Sequence, residues 1–390
     1  MAETITPFTV AIPEAQLEDL RRRLSSARWP AAETVSDWSQ GVPLAAMQDL
    51  CRYWAEVYDW RRCEATLNTF PQFITEIDDL AIHFIHVRSE QRGALPLVLT
   101  HGWPGSVLEF LKVVGPLTDP ASHGAPEAPA FHVVIPSLPG YGFSGKPSDR
   151  GWGVEKIAEA WVTIMLRLGY DRFFAQGGDF GAAVTTAIPN AAPLNCLGIH
   201  LNMPIAPPQE SDLADLTAAE ASAIERMQYY WEHESGYQKI QSTRPQTVGY
   251  ALADSPIGQA AWIYEKFEEF TGHDGMPGDV LTRDELLDVI THYWLTNSGA
   301  SSARLYWESA RAFEPKRLDL PVGVSLFAKE VMRTSRRWAE RSYPDLVHWN
   351  ELPVGGHFAA FEQPALFTDE LRACFGAMAA AMGGPEAGSA

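Results

Sequence analysis

An apolar run that ends in a glycine–aspartate turn is the part of the sequence best suited to covalent chemistry. Residues 173–182 read FFAQGGDFGA, so Asp179 stands midway between Gly177 and Gly181. This spacing is typical of a nucleophile elbow, a sharp strand-to-helix turn in which small neighbours let the strand and the helix approach closely. The alternative is that Asp179 only caps the following helix. The alanines at 182 and 183 favour the elbow.

An aspartate at this position implies a particular reaction. A carboxyl group with a pKa near ~4 is ionised at neutral pH and attacks an sp³ carbon without a base. The product is an alkyl ester of the protein, which water must then cleave at the aspartate carbonyl carbon. That second step needs a general base and hydrogen-bond donors for the developing oxyanion.

The base and its orienting acid are expected after later strands of the chain. His357 lies in the loop VGGHF, after an apolar strand and before a helix, and we interpret it as the base. Glu330 follows the strand-like run 322–328 and fits the acid. A solvated surface glutamate is the alternative for Glu330, and Asp345, which precedes its strand, is the weaker competitor.

The oxyanion donors are expected in the loop HGWPG, residues 101–105, and at the elbow. The backbone N–H groups of Trp103 and Phe180 are the candidates, because Pro104 has no N–H.

Two other motifs in the sequence do not indicate a metal or a cofactor site. His83 and His86 fall on a strand whose successive side chains alternate, which disfavours a metal site. The run GYGFSG at 140–145 resembles a dinucleotide fingerprint but is followed by turn residues rather than a helix. We therefore predict no metal and no cofactor.

The elements that position these residues follow from changes in hydrophobic period. Two amphipathic helices are predicted before residue 70, and then strands alternate with helices, which indicates a mostly parallel sheet covered on both faces. The predicted strands are 73–77, 82–87, 95–100, 131–136, 173–176, 196–201, 322–327 and 346–352. Helical patterns without a clear strand interrupt the series at 204–313. The predicted parts are a helical extension (1–75), a core in two pieces (76–203 and 314–380), a helical lid (204–313) and a flexible tail (381–390).

Composition excludes several classes of protein. The 390 residues are 46% hydrophobic and 20% charged, which is typical of a globular chain. The formal net charge of −19 disfavours nucleic acid and anionic membranes as partners. Four scattered cysteines without a C-x-x-C pair indicate reduced thiols, and no apolar run is long enough to cross a membrane. We expect a cytoplasmic protein, and a homodimer is left open.

Several blocks of this sequence resemble the epoxide hydrolases of the α/β-hydrolase superfamily, in particular the microsomal-type branch. The blocks are YDWR (58–61), LNTFPQF (67–73), HGWPGS (101–106), the elbow (177–181) and GGHFAAFE (355–362). The resemblance implies an α/β-hydrolase fold with a mostly parallel eight-stranded sheet, a helical lid and an N-terminal extension that braces the lid. It also suggests a soluble bacterial member, with a role in antibiotic biosynthesis among the options.

The resemblance implies the roles already considered: Asp179 as nucleophile, His357 as base and Glu330 as acid. It adds two lid tyrosines, Tyr237 and Tyr306, whose hydroxyls would donate hydrogen bonds to the epoxide oxygen as the ring opens. Spacing alone would not have selected these two among 12 tyrosines.

The expected reaction is addition of water to an epoxide, giving a vicinal diol through the Asp179 ester. The many aromatic residues of the lid suggest a bulky apolar or aromatic substrate, although they fit a packed lid core equally well. The residues expected to line the pocket are Trp103, Phe180, Tyr237 and Trp307. Two alternatives remain: a haloalkane dehalogenase, which would use the same ester, and a small-molecule receptor without turnover.

Overall fold

A single nine-stranded sheet forms the centre of the molecule in this computed structural model, which describes residues 4–273 and 277–383. The order is β1-β2-β3-β5-β4-β6-β7-β8-β9; the first three pairings are antiparallel and the other five are parallel. The strands are β1 (Ile5–Phe8), β2 (Gln72–Ile77), β3 (Leu80–Val87), β4 (Leu95–Thr100), β5 (Phe131–Pro136), β6 (Phe173–Gly177), β7 (Cys196–Leu201), β8 (Val322–Leu326) and β9 (Leu346–Glu351).

The predicted count of eight strands is wrong by one. The additional strand, β1, has four residues and pairs antiparallel with β2, from Ile5 opposite Thr75 to Phe8 opposite Gln72. A four-residue segment that contains a proline is too short to show the two-residue period of a strand. The predicted extension is therefore not wholly helical, since it contributes β1 and most of β2 to the sheet.

The central parallel strands are buried on both faces. Leu97, Val98 and Leu99 of β4 and Phe173 and Phe174 of β6 are fully shielded from solvent. Consecutive buried apolar residues are what a parallel sheet between two layers of helices requires. The carboxyl ends of β4 and β6, where these strands lie side by side, carry the predicted oxyanion loop and the predicted elbow.

Fifteen helices cover the sheet and form the lid among the described residues. They are α1 (Glu14–Ser25), α2 (Leu44–Glu56), α3 (Trp60–Leu67), α4 (Leu111–Thr118), α5 (Val154–Arg167), α6 (Phe180–Ala191), α7 (Ala218–Tyr229), α8 (Gly236–Thr243), α9 (Pro245–Asp254), α10 (Pro256–Phe270), α11 (Arg283–Leu295), α12 (Gly299–Glu308), α13 (Arg336–Ser342), α14 (Ala359–Glu362) and α15 (Pro364–Ala381).

The lid, residues 204–313, contains α7 to α12 and a π-helical turn, Tyr230–Glu234, and its described residues form no strand. Hydrogen bonds connect it to the N-terminal helices. The hydroxyl of Tyr58 donates to Asp288 Oδ1 of α11 at 2.7 Å, and Arg62 NH2 donates to the same atom at 2.6 Å. The hydroxyl of Tyr53 donates to Asp284 at 2.9 Å. The extension therefore braces the lid by direct polar contacts.

The glycine-rich run at 140–145 forms a loop beneath the lid, and no helix begins in it. Gly140 has a φ of +83°, and its carbonyl oxygen accepts a hydrogen bond from Ser301 Oγ of α12 at 2.5 Å. The run therefore packs against a lid helix where a dinucleotide fingerprint would begin a helix of its own.

Two further sequence expectations concern membrane-spanning helices and the C-terminal tail. In the parts of the chain that the structure covers, every helix is too short or too polar to cross a membrane. Of the predicted flexible tail, residues 384–390 lie outside the described residues, and Ala381 ends α15.

Candidate active site

The turn between β6 and α6 has the geometry of a nucleophile elbow. Asp179 has a φ of +51° and a ψ of −131°, a conformation that residues with side chains rarely adopt and that stores strain. The flanking glycines are required by close backbone approach. A Cβ added at Gly181 would lie 1.9 Å from the carbonyl oxygen of Thr100, and one at Gly177 would lie 2.1 Å from that of Gly181. The turn therefore presents Asp179 at the carboxyl edge of the sheet.

In the structure, the His357 ring lies between the carboxylates of Asp179 and Glu330. Nε2 of His357 lies 3.6 Å from Asp179 Oδ2, and Nδ1 of His357 lies 2.7 Å from Glu330 Oε1. Glu330 also accepts a hydrogen bond from the backbone N–H of Val331 at 2.8 Å, which fixes its carboxylate. The competitor Asp345 precedes β9, and it is Glu330 that contacts Nδ1 of His357. The geometry can orient a base that faces the nucleophile.

The charges around His357 determine its protonation. Burial alone would lower the pKa of His357, but the negative charges of Glu330 and Asp179, with hydrogen bonds to both, hold this pKa well above its ordinary value. The imidazole is therefore positively charged at neutral pH. Because Asp179 supplies part of this effect, losing its charge would lower the pKa of His357.

The loop that carries His357 is held by a glutamate that sequence reasoning did not identify. The Glu362 carboxylate accepts backbone hydrogen bonds from Gly356 at 3.0 Å and Phe358 at 2.9 Å, on either side of the histidine. It also accepts one from Gly272, beyond the end of α10, at 2.6 Å. Burial is the main reason that the pKa of Glu362 rises to about 6. Glu362 thus positions the histidine loop against the lid.

One of the two predicted oxyanion donors makes a measured contact. The backbone N–H of Trp103 donates to Asp179 Oδ1 at 2.8 Å, so Oδ1 is already in place to accept further negative charge. Phe180 begins α6 directly after the nucleophile, and no hydrogen bond from its N–H to Asp179 is formed in the described structure.

Tyr237 and Tyr306 project from different lid helices into the same space as Asp179. Their rings meet edge to face with centroids 6.0 Å apart, and Trp103 stacks on Tyr237 at 4.9 Å. Burial, with a contribution from the negative charge of Asp179, raises the pKa of both hydroxyls well above the ordinary value for tyrosine. Both phenols therefore remain protonated donors. The Tyr306 hydroxyl has no hydrogen-bond partner among the described residues.

A cavity with a volume of about 140 Å³ reaches these groups from the lid side. Asp179, His357, Tyr237 and Tyr306 form its polar end. The rest of its wall is mostly apolar, from Met203, Ile205, Pro207, Pro208, Ile224, Met227, Trp231, Phe270, Phe313, Val331, Met332 and Trp338. Such a cavity suits a mostly apolar molecule with one reactive polar group.

Of the four residues expected to line the pocket, Tyr237 lines this cavity and Trp103 lines a smaller one beside Asp179, whereas Phe180 and Trp307 line neither. Trp307 is 41% exposed, stacks with Arg150 at 5.0 Å and lies outside this cavity. The correction has a simple cause: neighbouring helical residues differ by about 100° in direction, so Trp307 cannot share the face of Tyr306. The rings of Trp103 and Phe180 support the tyrosines from behind, Phe180 against Tyr306 at 4.6 Å, and do not line the large cavity.

A second, small cavity lies behind the Asp179–His357 pair. It has a volume of about 20 Å³, and its polar lining includes His101, Glu109 and Asn202. One Glu109 oxygen accepts the backbone N–H of Ser106 at 3.1 Å. Burial is the main cause that raises the pKa of Glu109 to about 8, so its carboxyl group is neutral at pH 7. This volume suits a single water molecule.

Sequence reasoning also missed the role of Tyr230 as a polar neighbour of Tyr237. Its hydroxyl lies 3.0 Å from that of Tyr237 and 2.8 Å from Gln238 Oε1. Tyr230 is one of many aromatic residues of the lid, and no local motif marks it.

Among residues 4–273 and 277–383, no group of three histidine, cysteine, aspartate or glutamate side chains is arranged to hold a metal ion.

Comparison with known proteins gives consistent results along the chain. The family model "Epoxide hydrolase N terminus" matches residues 5–110, and the model for the alpha/beta hydrolase fold matches residues 96–223. A Stigmatella aurantiaca protein that is provisionally named an epoxide hydrolase is 57% identical over 95% of this chain and 84% of its own length. Epoxide hydrolase 1 of Sus scrofa is 36% identical over 96% of this chain and 89% of its own.

The fold agrees with that of a solved member of the same group. The structure of Aspergillus niger epoxide hydrolase superposes with a TM-score of 0.87 at 33% identity, covering 96% of this chain and 97% of that one. Both the lid and the N-terminal extension fall within this shared length. The sequence, the elbow site and these matches together show that the chain belongs to the epoxide hydrolases of the α/β-hydrolase superfamily.

Proposed function

We propose that this epoxide hydrolase works through a covalent ester of Asp179 and acts on a bulky apolar or aromatic epoxide. The observation that carries the proposal is that Asp179, His357, Tyr237 and Tyr306 meet at the polar end of one largely apolar cavity. An epoxide whose ring lies at that end has the carboxylate on one side and two phenols on the other.

In the first step, Oδ2 of Asp179 attacks a ring carbon, and the bond between that carbon and the ring oxygen breaks. Oδ2 is the attacking oxygen because Oδ1 accepts the N–H of Trp103, whereas Oδ2 has only the longer contact of 3.6 Å with Nε2 of His357. The electron pair of the broken bond goes to the ring oxygen, which takes a proton from one of the two tyrosines. The products are a hydroxyalkyl ester and a phenolate. Buried phenols suit this role, because they are protonated at the start and act where water is excluded.

In the second step, a water molecule attacks the carbonyl carbon of the ester while His357 takes its proton. The bond to the alkyl oxygen then breaks, the diol leaves and the Asp179 carboxylate is restored. The departing alkoxide takes the second proton of the water, so His357 ends charged as it began, and the overall reaction is epoxide plus water to diol. Trp103 N–H stabilises the negative charge on Oδ1 during the attack.

The charge on Asp179 gives these steps an order. In the free enzyme, Asp179 helps to keep the pKa of His357 high, so the imidazole is charged and is not a base. Ester formation removes that negative charge, and the pKa of His357 falls. The histidine can then give its proton to the phenolate left by ring opening, which restores the tyrosine. Only this neutral imidazole, formed after the ester exists, can accept a proton from water.

The small cavity lined by Glu109 is a suitable place for the water molecule that hydrolyses the ester. It is in contact with both Asp179 and His357, and it lies apart from the apolar cavity that would hold the epoxide. A neutral Glu109 can donate a hydrogen bond to the water oxygen, and Asn202 adds a further polar group. We therefore propose this cavity as the site of the hydrolytic water.

A single turnover in ¹⁸O-labelled water tests the ester mechanism. Enzyme in excess over styrene oxide is mixed in H₂¹⁸O, and the diol and the peptide that contains Asp179 are analysed by mass spectrometry. Unlabelled diol with one ¹⁸O in Asp179 is the expected result, because the new diol oxygen comes from the carboxylate.

Label in the diol with none in Asp179 would contradict the ester. Asp179→Ala is the matched control and should form no diol. Failure to convert a panel of aryl and alkyl epoxides, with binding retained, would instead favour a receptor. Halide release from bromoalkanes by a Tyr237→Phe, Tyr306→Phe double variant would favour a dehalogenase.

A further inference from the structure

A buried lysine stands directly behind Tyr237, and the proposed mechanism so far does not use it. Lys266 of α10 is only 1% exposed, and its ammonium nitrogen lies 4.7 Å from the centroid of the Tyr237 ring and 5.3 Å from that of Phe270. Removing an ammonium group from water is costly, so its location calls for a reason.

The polar partners of Lys266 explain how the charge is tolerated. Nζ lies 2.7 Å from Glu269 Oε2 and 3.1 Å from Glu265 Oε1, and it donates to the carbonyl oxygen of Glu234 at 3.3 Å. Burial raises the pKa of Glu269 to about 7, so at neutral pH this carboxyl group balances the ammonium charge only in part. On the other side of the ammonium lie the faces of two aromatic rings, and that of Tyr237 is the nearer. At a buried site a cation against a ring face interacts with it more strongly than it would in water.

The second tyrosine has no such neighbour. The ring contacts of Tyr306 are with Trp103, Phe180 and Tyr237, and no lysine or arginine of the described ranges stands over its ring. Its hydroxyl has no hydrogen-bond partner within the described ranges, whereas that of Tyr237 lies 3.0 Å from the hydroxyl of Tyr230. The two phenols therefore differ in both their electrostatic and their hydrogen-bonding surroundings.

This difference matters when the epoxide opens. Negative charge moves from the ring oxygen towards the phenol that hydrogen-bonds to it, and part of that charge spreads over the aromatic ring. A cation against the ring face stabilises the charged form more than the neutral one, and the effect is larger where water is excluded.

We propose that Lys266 is a positioning residue that acts through Tyr237 and makes Tyr237 the stronger of the two donors to the epoxide oxygen. The proposal rests on the two-step mechanism above, because it assigns unequal shares of the first step to the two tyrosines. A purely structural lysine, which only anchors the Glu234 carbonyl at the end of the π-helical turn, is the alternative.

The first measurement uses the two tyrosines and leaves the lysine in place. The rate of ester formation is followed by stopped-flow tryptophan fluorescence with excess styrene oxide. Tyr237→Phe should slow ester formation about tenfold more than Tyr306→Phe, the factor that corresponds to one desolvated charge–ring contact. Equal losses in the two variants would overturn the proposal, whether or not any lysine variant folds.

The second measurement is a double-mutant cycle with Lys266→Met, which keeps the length of the side chain and removes the charge. Lys266→Met should slow ester formation about tenfold in the wild-type and Tyr306→Phe backgrounds and have no further effect in the Tyr237→Phe background. Ester hydrolysis should stay within about twofold, and Lys266→Arg should recover most of the lost rate. Equal slowing in both tyrosine backgrounds, or of both steps, would indicate a structural lysine.

Glu269→Gln is the matched control, since it breaks a lysine contact without removing the ammonium. Ester formation should not be slowed, because the ammonium then faces Tyr237 with one negative neighbour fewer; slowing would contradict the proposal. If wild-type enzyme shows no labelled Asp179, the two-step mechanism itself fails. If it shows the label but the cycle is additive, only the assignment of Lys266 fails.

Discussion

The backbone N–H of His357 donates a hydrogen bond to the carbonyl oxygen of Phe270 at 2.9 Å, and this contact joins the proposed base to the lid. Phe270 ends α10, so its carbonyl is one of the groups that a helix leaves without an internal partner. The two side chains also meet edge to face at 5.6 Å. The end of one lid helix and the catalytic loop therefore satisfy each other, and a shift of α10 would move the histidine.

Glu330→Gln should trap the ester. A neutral amide cannot stabilise the imidazolium that forms when His357 takes a proton from water, although it can fill the same space 2.7 Å from Nδ1. We expect ester formation to persist while hydrolysis slows at least about 100-fold. Intact-protein mass spectrometry after mixing with styrene oxide should show the mass of enzyme plus epoxide. An unmodified mass together with continued turnover would exclude Glu330 as the orienting acid.

The size of the apolar cavity that contains Asp179 should limit the epoxides that are accepted. Met227→Trp would fill part of the apolar wall, so the KM of a bulky aryl epoxide should rise about tenfold, while that of propylene oxide changes little. Trp307→Ala is the control, because Trp307 is a partly exposed lid aromatic outside the cavity. It should leave both KM values within about twofold. Steady-state kinetics on the two substrates measures this. An equal effect on both epoxides would contradict the assignment of the cavity.

Glu109 should make the stability of the fold depend on pH. Its pKa is raised from 4.5 to about 8, so between these values the folded protein holds a proton that the unfolded chain has lost. The stabilisation is complete below pH 4.5 and is lost as the pH rises from there through 8, at about 1.4 kcal/mol per pH unit. Glu109→Gln does not titrate.

Thermal unfolding of both proteins at pH 5.5, 7.0 and 8.5 measures the difference. The stability of Glu109→Gln relative to wild type should increase steadily with pH. A difference that stays constant over this range would mean that Glu109 is ionised in the folded protein.

Asp288→Asn should destabilise the contact between the extension and the lid. The variant loses the charged partner of the buried Tyr58 hydroxyl and of Arg62, and we expect a loss of about 2 kcal/mol in the free energy of unfolding. Asp284→Asn, at a more exposed site, is the matched control and should cost less than about 1 kcal/mol. Urea denaturation followed by fluorescence compares them. Equal losses would show that burial at Asp288 is unimportant.

The main features of the fold were predictable because each has a strong local signal. The eight predicted strands agree with β2 to β9 to within two residues, since long apolar runs and turns mark them. Asp179 and His357 lie in glycine-rich turns. The positions of the glycines in these turns are determined by the backbone conformation, so the sequence shows them directly. Tyr237 and Tyr306 carry no such signal and were identified only through resemblance.

The remaining features depend on contacts between segments that are distant in the chain. Glu362 becomes a support only when Gly272 approaches it, and Lys266 gains significance only from the ring of Tyr237. The placement of Trp307 in the pocket was wrong because the sequence shows that this helix is rich in aromatic residues but does not show which of its faces points inward. β1 requires its partner β2 before it is recognisable as a strand.

The polar contacts of Tyr53, Tyr58 and Arg62 with α11 also bear on how this enzyme group diversifies. A lid without carboxylates at the positions of Asp284 and Asp288 would leave those hydroxyls and that guanidinium without these partners, so the lid and the N-terminal helices depend on each other. New substrate ranges should therefore arise in two ways: by single changes in the cavity wall, or by recombination that transfers residues 1–75 and the lid together. Chimaeras with breakpoints on both sides of each segment are accordingly the appropriate starting libraries for engineering this enzyme.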